Sequence, residues 1–181
     1  MSYTTQNDLI LNRLLDFYMK NERLDHMLSI INGESRISLR IVDWFATNYA
    51  KKYYTVYSLN SDPKKRFKVY NDYKLKLKAY SKKRFDPFCR WERINIPYKN
   101  DTCIQTTIGQ LNFFKWAIEN EVIDFIENNY STIENDMNNR NSTSKRKQQI
   151  SHKTRKKREE LSISAVKSIK KEEVEIIVKF N

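Results

Sequence analysis

The chain has 181 residues, a formal net charge of +12 and 39% hydrophobic residues, with 23 aromatics among them. That suffices for one modest core, as a single domain or a domain with a tail. Two glycines and three prolines exclude a glycine-rich phosphate loop, a propeller and a collagen-like array.

The first third reads as helical. Leu11, Leu14, Leu15 and Tyr18 recur at helical spacing, as do Leu24, Met27, Leu28 and Ile31 before the helix stop at Gly33. A third helix opens near Ser38 and presents Ile41, Trp44, Phe45 and Tyr49 on one side. These short amphipathic helices are expected to bury one another as core rather than to form a binding site.

From Tyr53 the period changes. Tyr73, Leu75, Leu77 and Ala79 alternate with Lys74, Lys76, Lys78 and Tyr80, which suits a strand with one apolar and one cationic face. Tyr73, Leu77 and Tyr80 also fit a helical stripe, so the alternation does not settle the matter alone. Asn60 to Pro63 and Phe85 to Phe88 are turn sequences, and Ile94 and Ile96 indicate a short strand ended by Pro97. Lys64-Lys65-Arg66-Phe67 is echoed by Lys82-Lys83-Arg84-Phe85, each beside an Asp-Pro pair. Thr107 and Gln110 form a capping-box pattern. The helix they open buries Leu111, Phe114, Ile118, Val122, Phe125 and Ile126 and is anionic outside. After Tyr130 the polar NDMNNRNSTS stretch reads as a linker without regular structure. The last residues alternate Val174, Ile176, Val178 and Phe180 as a terminal strand, pairing within the domain or on another molecule. Internal pairing would make the preceding basic stretch a tethered arm rather than a free tail.

The expected fold is therefore α+β. N-terminal helices and one central amphipathic helix pack on a small antiparallel sheet drawn from residues 53–98 and the final strand, with a basic arm. The expected division is a globular domain over 1–137, a polar and basic linker or arm over 138–160, and a C-terminal segment over 161–181.

Charge is uneven along the chain: −1 over residues 1–50, +11 over 51–99, −5 over 100–140 and +7 over 141–181. Such polarity describes basic surfaces meant for a partner rather than a uniform solubilising coat. Between Lys51 and Lys99, 15 Lys/Arg and eleven aromatics are diluted by only four acids. Cations there would neutralise phosphates, and tyrosines could stack on bases, although aromatics at this spacing are more often core. The candidate contacts in this block are Lys64, Lys65, Arg66, Lys74, Lys76, Lys78, Lys82, Lys83 and Arg84. The cleaner signal is the acid-free run from Lys145 to Arg158, with Lys145, Arg146, Lys147, Lys153, Arg155, Lys156, Lys157 and Arg158. It suits a nucleic-acid arm, a nuclear-import signal or a membrane-surface patch.

Catalytic signals are weak. Asp86 and Glu92 could serve as metal-binding carboxylates with Lys82 or Lys83 as an electrophile, but a charge-paired turn explains the same string. Cys89 has no histidine placed in sequence to activate it. Cys89, Cys103, His26 and His152 lack the spacing of a zinc site, and no metal or cofactor is expected. No apolar run reaches the roughly 20 residues of a membrane span, and no signal peptide is visible, so a reduced intracellular protein is expected.

Three strings, SLRIVDWFATNYAKKY from Ser38, YKLKLKAYSKKRFDPFCRWERI from Tyr73 and TTIGQLNFFKWAIENEVIDFI from Thr106, resemble an uncharacterised family of nucleocytoplasmic large DNA viruses. The Asn-, Lys- and Ile-rich composition is similar to that of AT-rich giant-virus proteomes. The resemblance runs from residue 38 onward and implies a setting, an infected eukaryotic cell with its viral factory, nucleus or virions. It brings no catalytic residues. The expected function is a non-enzymatic viral nucleic-acid-binding protein, phosphate-directed and weakly sequence-specific, acting on DNA in packaging, nucleoid organisation or transcription. The alternative is a virion scaffold protein whose basic surface meets acidic viral protein or membrane. A small metal-dependent nuclease is the third reading.

Overall fold

The computed structural model describes residues 5–20, 22–99, 102–150 and 170–172. Helix α1, Gln6–Tyr18, starts at a capping box in which Thr5 and Asp8 satisfy each other's backbone N–H groups. Helix α2, Arg23–Asn32, ends at Gly33, whose φ of 77° is the left-handed conformation that glycine adopts without steric cost. Ser38 caps α3, Leu39–Trp44, by accepting from the Ile41 N–H. That helix runs on through a π-helical segment, Phe45–Tyr49, into α4, Ala50–Lys52. The antiparallel hairpin of β1, Val56–Leu59, and β2, Asp62–Lys68, leads into α5, Val69–Arg84. Strands β3, Arg93–Pro97, and β4, Cys103–Thr107, follow, then α6, Ile108–Glu119, α7, Val122–Asn128, and α8, Tyr130–Ile150. Strand β5, Lys170–Glu172, returns to pair antiparallel with β4, giving a second sheet of order β3-β4-β5.

Helix α6 is the centre of the molecule. Nine of its twelve residues are buried, from Ile108 to Ala117, among them the polar Gln110 and Asn112, so burial extends over most of its circumference. It packs against α1, α5, α7 and β4. Gly109 lets its first turn approach the 83–89 loop. A Cβ there would lie 2.8 Å from the Cβ of Cys89 and 3.1 Å from the Lys83 carbonyl oxygen. The expected single helix from Thr107 is in fact two, because Glu121 adopts φ 55° and turns the chain between α6 and α7. Thr107 does cap α6, accepting from the Gln110 N–H at 3.2 Å.

The α+β class holds, but two assignments within it change. Tyr73 to Tyr80 is helix, not strand. Between Tyr70 and Arg84 there is no β-branched residue, and Lys, Leu and Ala are good helix formers, so local preference opposes the two-residue alternation. Burial confirms it: Leu75, which the strand would have turned inward, is 65% exposed, while Tyr73, Leu77 and Tyr80 pack against the core. The sheet drawn from residues 53–98 is accordingly two separate small sheets. The stretch after Tyr130 is helix as well. Ile133, Asp136 and Met137 are buried, and beyond Met137 α8 continues as a polar extension. At 1.5 Å per residue, the 13 residues from Met137 to Ile150 reach about 20 Å. The alternating segment Val174 to Phe180 lies outside the described residues.

Candidate nucleic-acid interface

The aromatics of the basic block are mostly core. Phe67 and Phe85, the two phenylalanines of the repeated Lys-Lys-Arg-Phe string, both pack on Trp116 of α6, with ring centroids 6.5 Å and 5.7 Å away. Each buried phenylalanine thus anchors a corner whose two preceding lysines face solvent. Lys64, Lys65 and Arg66 are exposed on β2, and Lys82 and Lys83 are exposed at the end of α5. Ser81, at φ 61° and ψ 167°, breaks that helix and redirects Lys82 to Arg84.

Helical rather than extended backbone regroups the α5 lysines. Lys74 and Lys78 are four residues apart and share the outer face with Leu75. Lys76 turns instead into a cleft of about 180 Å³ beside Arg13, Lys115 and Glu119. Among the described residues, ion pairs engage Lys52, Lys83, Lys99 and Lys115, and none engages Lys64, Lys65, Arg66, Lys74, Lys78 or Lys82. Two expected contacts are committed elsewhere. Lys83 is paired with Glu92, and the Arg84 guanidinium donates to Asn7 and Gln6, sewing the end of α5 to the start of α1. Lys145, Arg146 and Lys147 fall on the outer part of α8. Lys153, Arg155, Lys156, Lys157 and Arg158 lie outside the described residues.

Lys51 and Lys68 were not singled out as contacts by their sequence neighbourhood, yet they belong to this surface. Lys51 and Lys74 each lie 5.7 Å from the ring centroid of Tyr70, and Lys68 borders the same cavity as Lys51. Their only sequence signal was membership of the 51–99 block. Helix α4 carries Lys51, β2 carries Lys68 and α5 carries Lys74, so only tertiary packing of three elements joins them.

The carboxylates do not assemble a nuclease centre. Asp86 accepts the Phe88 N–H at 2.8 Å as a turn, and Glu92 is held by Lys83. Among the described residues no group of three or more His, Cys, Asp or Glu side chains is arranged to share a metal ion. The acid that stands out is Asp43 on α3. Burial, then the nearby Asp86 carboxylate, pushes its carboxyl up to about 6, with Lys82 partly opposing the shift. A raised folded value means that the native state holds its proton between pH 4 and 6 while the unfolded chain releases it. The charged form therefore costs stability above pH 6, and that cost fades as the pH falls. Asp43→Asn is expected to stabilise the fold by about 1–2 kcal/mol at pH 7.5. Thermal melts from pH 4.5 to 8 would check this. Equal effects of the substitution at both ends would refute it.

Among the described residues no helix is long and apolar enough to cross a membrane. No solved structure matches the chain. An uncharacterised protein of Acanthamoeba polyphaga mimivirus is 47% identical over 131 residues, covering 69% of this chain and 51% of the relative. The aligned region thus spans about half the length of that viral protein. The giant-virus resemblance of the three strings is consistent with this similarity. A family model described as a family of unknown function, DUF7197, matches residues 1–180, and the chain belongs to that family.

Proposed function

We propose that this protein is a non-enzymatic nucleic-acid-binding protein that engages phosphates, with DNA as the expected partner. The observation that carries the reading is the outer face of α5. Lys74 and Lys78 stand one turn apart in solvent, and among the described residues no acid forms an ion pair with either. Like charges at this spacing destabilise a helix by a few tenths of a kcal/mol, and a phosphate backbone would reverse the sign. Lys82 and the β2 corner of Lys64, Lys65 and Arg66 extend the field, and the outer part of α8 adds Lys145, Arg146 and Lys147. Phosphate contacts fix position without reading bases, so weak sequence preference follows. In an infected eukaryotic cell such a protein would act where viral DNA is packaged, organised or transcribed, in the viral factory, nucleus or virion.

The test is a titration of duplex DNA across salt. Affinity should fall steeply as salt rises, and the combined Lys74→Gln, Lys78→Gln and Lys82→Gln variant should flatten the log–log slope by about one per lysine removed. An unchanged slope would remove α5 from the interface. No binding at low salt would defeat the whole reading and favour a scaffold role, in which the cations meet acidic protein or membrane.

A further inference from the structure

Between α4, β1 and the start of α5 lies an open cavity of about 300 Å³, lined by Lys51, Tyr54, Val56, Lys68, Tyr70 and Asn71. Its volume is at the lower end for small-ligand sites and suits one flat group with a charged appendage. Tyr54 is the unusual member. It is 86% exposed, and among the described residues its side chain has no hydrogen-bond or ring partner. Its backbone adopts φ 48°, a left-handed conformation that costs a non-glycine residue about 1 kcal/mol or more. Neither packing nor backbone preference explains a tyrosine there. Tyr53, its neighbour, is accounted for by a hydrogen bond to Asp136 and by its ring contact with Tyr49.

Cations surround the cavity: Lys51 and Lys68 line it, and Lys74 lies over Tyr70 at its edge. Lys68 is also the residue preceding α5, and its side chain makes no capping bond there. A positive side chain is electrostatically mismatched with the positive end of a helix, a repulsion that a bound anion would relieve. The cavity therefore offers an unpartnered aromatic face, an amide side chain from Asn71 and converging positive charge.

We propose that this cavity takes one unpaired nucleotide of a single-stranded nucleic acid, its base stacked on Tyr54 and its phosphate held by Lys51 and Lys68. The proposal rests on the phosphate-binding reading above and narrows it to a class of substrate. Base faces are covered by stacking in a duplex and become available to a side chain only when the base is unpaired. The duplex and single strand would share the α5 lysines, while only the single strand would use Tyr54.

Fluorescence anisotropy of a labelled oligodeoxythymidine and of a labelled duplex of equal length, with the full chain at fixed salt, tests this. Tyr54→Ala should weaken single-strand binding roughly fivefold to a hundredfold, the loss of one stacked base, and leave duplex binding unchanged. Tyr54→Phe should retain wild-type affinity, and circular dichroism should show both variants folded. Combining Lys51→Gln with Lys68→Gln should weaken single-strand binding beyond its effect on duplex. Equal losses on both probes, or none with Tyr54→Ala, would overturn the cavity assignment while leaving phosphate binding in place. Absence of salt-dependent binding of either probe would instead defeat the underlying reading.

Discussion

Trp116→Ala is expected to destabilise the fold by about 3–5 kcal/mol, the range for removing a large buried aromatic. Trp116 is 3% exposed and its ring meets Phe67, Tyr73, Phe85 and Phe113. Its Nε1–H also donates to Asp72 of α5 at 2.7 Å. Truncation would open a cavity at the point where both Lys-Lys-Arg-Phe corners are anchored, and would leave the Asp72 carboxylate without that donor. The basic side of the molecule should loosen first, because β2 and α5 reach the core through this ring. Denaturant unfolding followed by circular dichroism gives the stability change, and hydrogen exchange in α5 locates it. A loss below 1 kcal/mol would show that the two corners are held by something else. Trp116→Phe should cost less, since it keeps much of the ring contact and forfeits only the hydrogen bond and some area.

Asp136→Ala is expected to cost about 3 kcal/mol, at the lower end for breaking a buried charge-assisted cluster. The Asp136 carboxylate accepts from Trp44 Nε1 at 3.2 Å, Lys52 Nζ at 2.5 Å and Tyr53 OH at 3.0 Å, so one α8 side chain ties that helix to α3 and α4. Lys52 is half exposed and can turn to water, which limits the loss. Burial pushes the Asp136 carboxyl up, but the hydrogen bonds from Lys52, Tyr53 and Trp44 outweigh it and leave it below the ordinary value. With the folded value depressed, the contribution is present above about pH 4 and is lost as pH falls through the folded value. Asp43 works in the opposite direction, gaining stability as the pH falls toward 4. Asp136→Ala should therefore lower the melting temperature at pH 7, and progressively less as the pH falls through the depressed folded value. It should also speed proteolysis at Arg140 and at Lys145 to Lys147, because α8 then relies on Ile133 and Met137 alone among its described buried residues. Unchanged cleavage would show that the outer part of α8 gains nothing from the anchor.

The helices were legible where apolar residues recurred at helical spacing, as at Leu11 to Tyr18, before the stop at Gly33, and after the starts at Ser38 and Thr107, although the last of these is two helices. The α5 segment misled because lysines and leucines alternate there for a reason unrelated to a sheet. Its inner residues, Tyr73, Leu77 and Tyr80, carry the helical stripe, and Leu75 is an apolar residue on an open face. Composition alone could not separate these, since Lys and Leu suit a helix and the alternation mimics a strand. The polar stretch after Tyr130 misled differently. Its buried side is only Ile133, Asp136 and Met137, and one of the three is an acid whose partners are remote in sequence.

Legible in the sequence were the α+β class, the resemblance to a giant-virus family, the cationic block of residues 51–99 and the acid-free run of residues 145–158. The class and the charge follow from composition and periodicity, and the resemblance is carried by three strings; all are properties of neighbours along the chain. Which cations stay free and which are consumed was decided by tertiary structure. Arg84 meets α1, Lys83 meets Glu92, and Lys51, Lys68 and Lys74 converge from three elements around Tyr70. Partners dozens of residues apart, such as Arg84 and Asn7, leave no periodic trace, because their proximity is created only when α6 gathers the other elements around it.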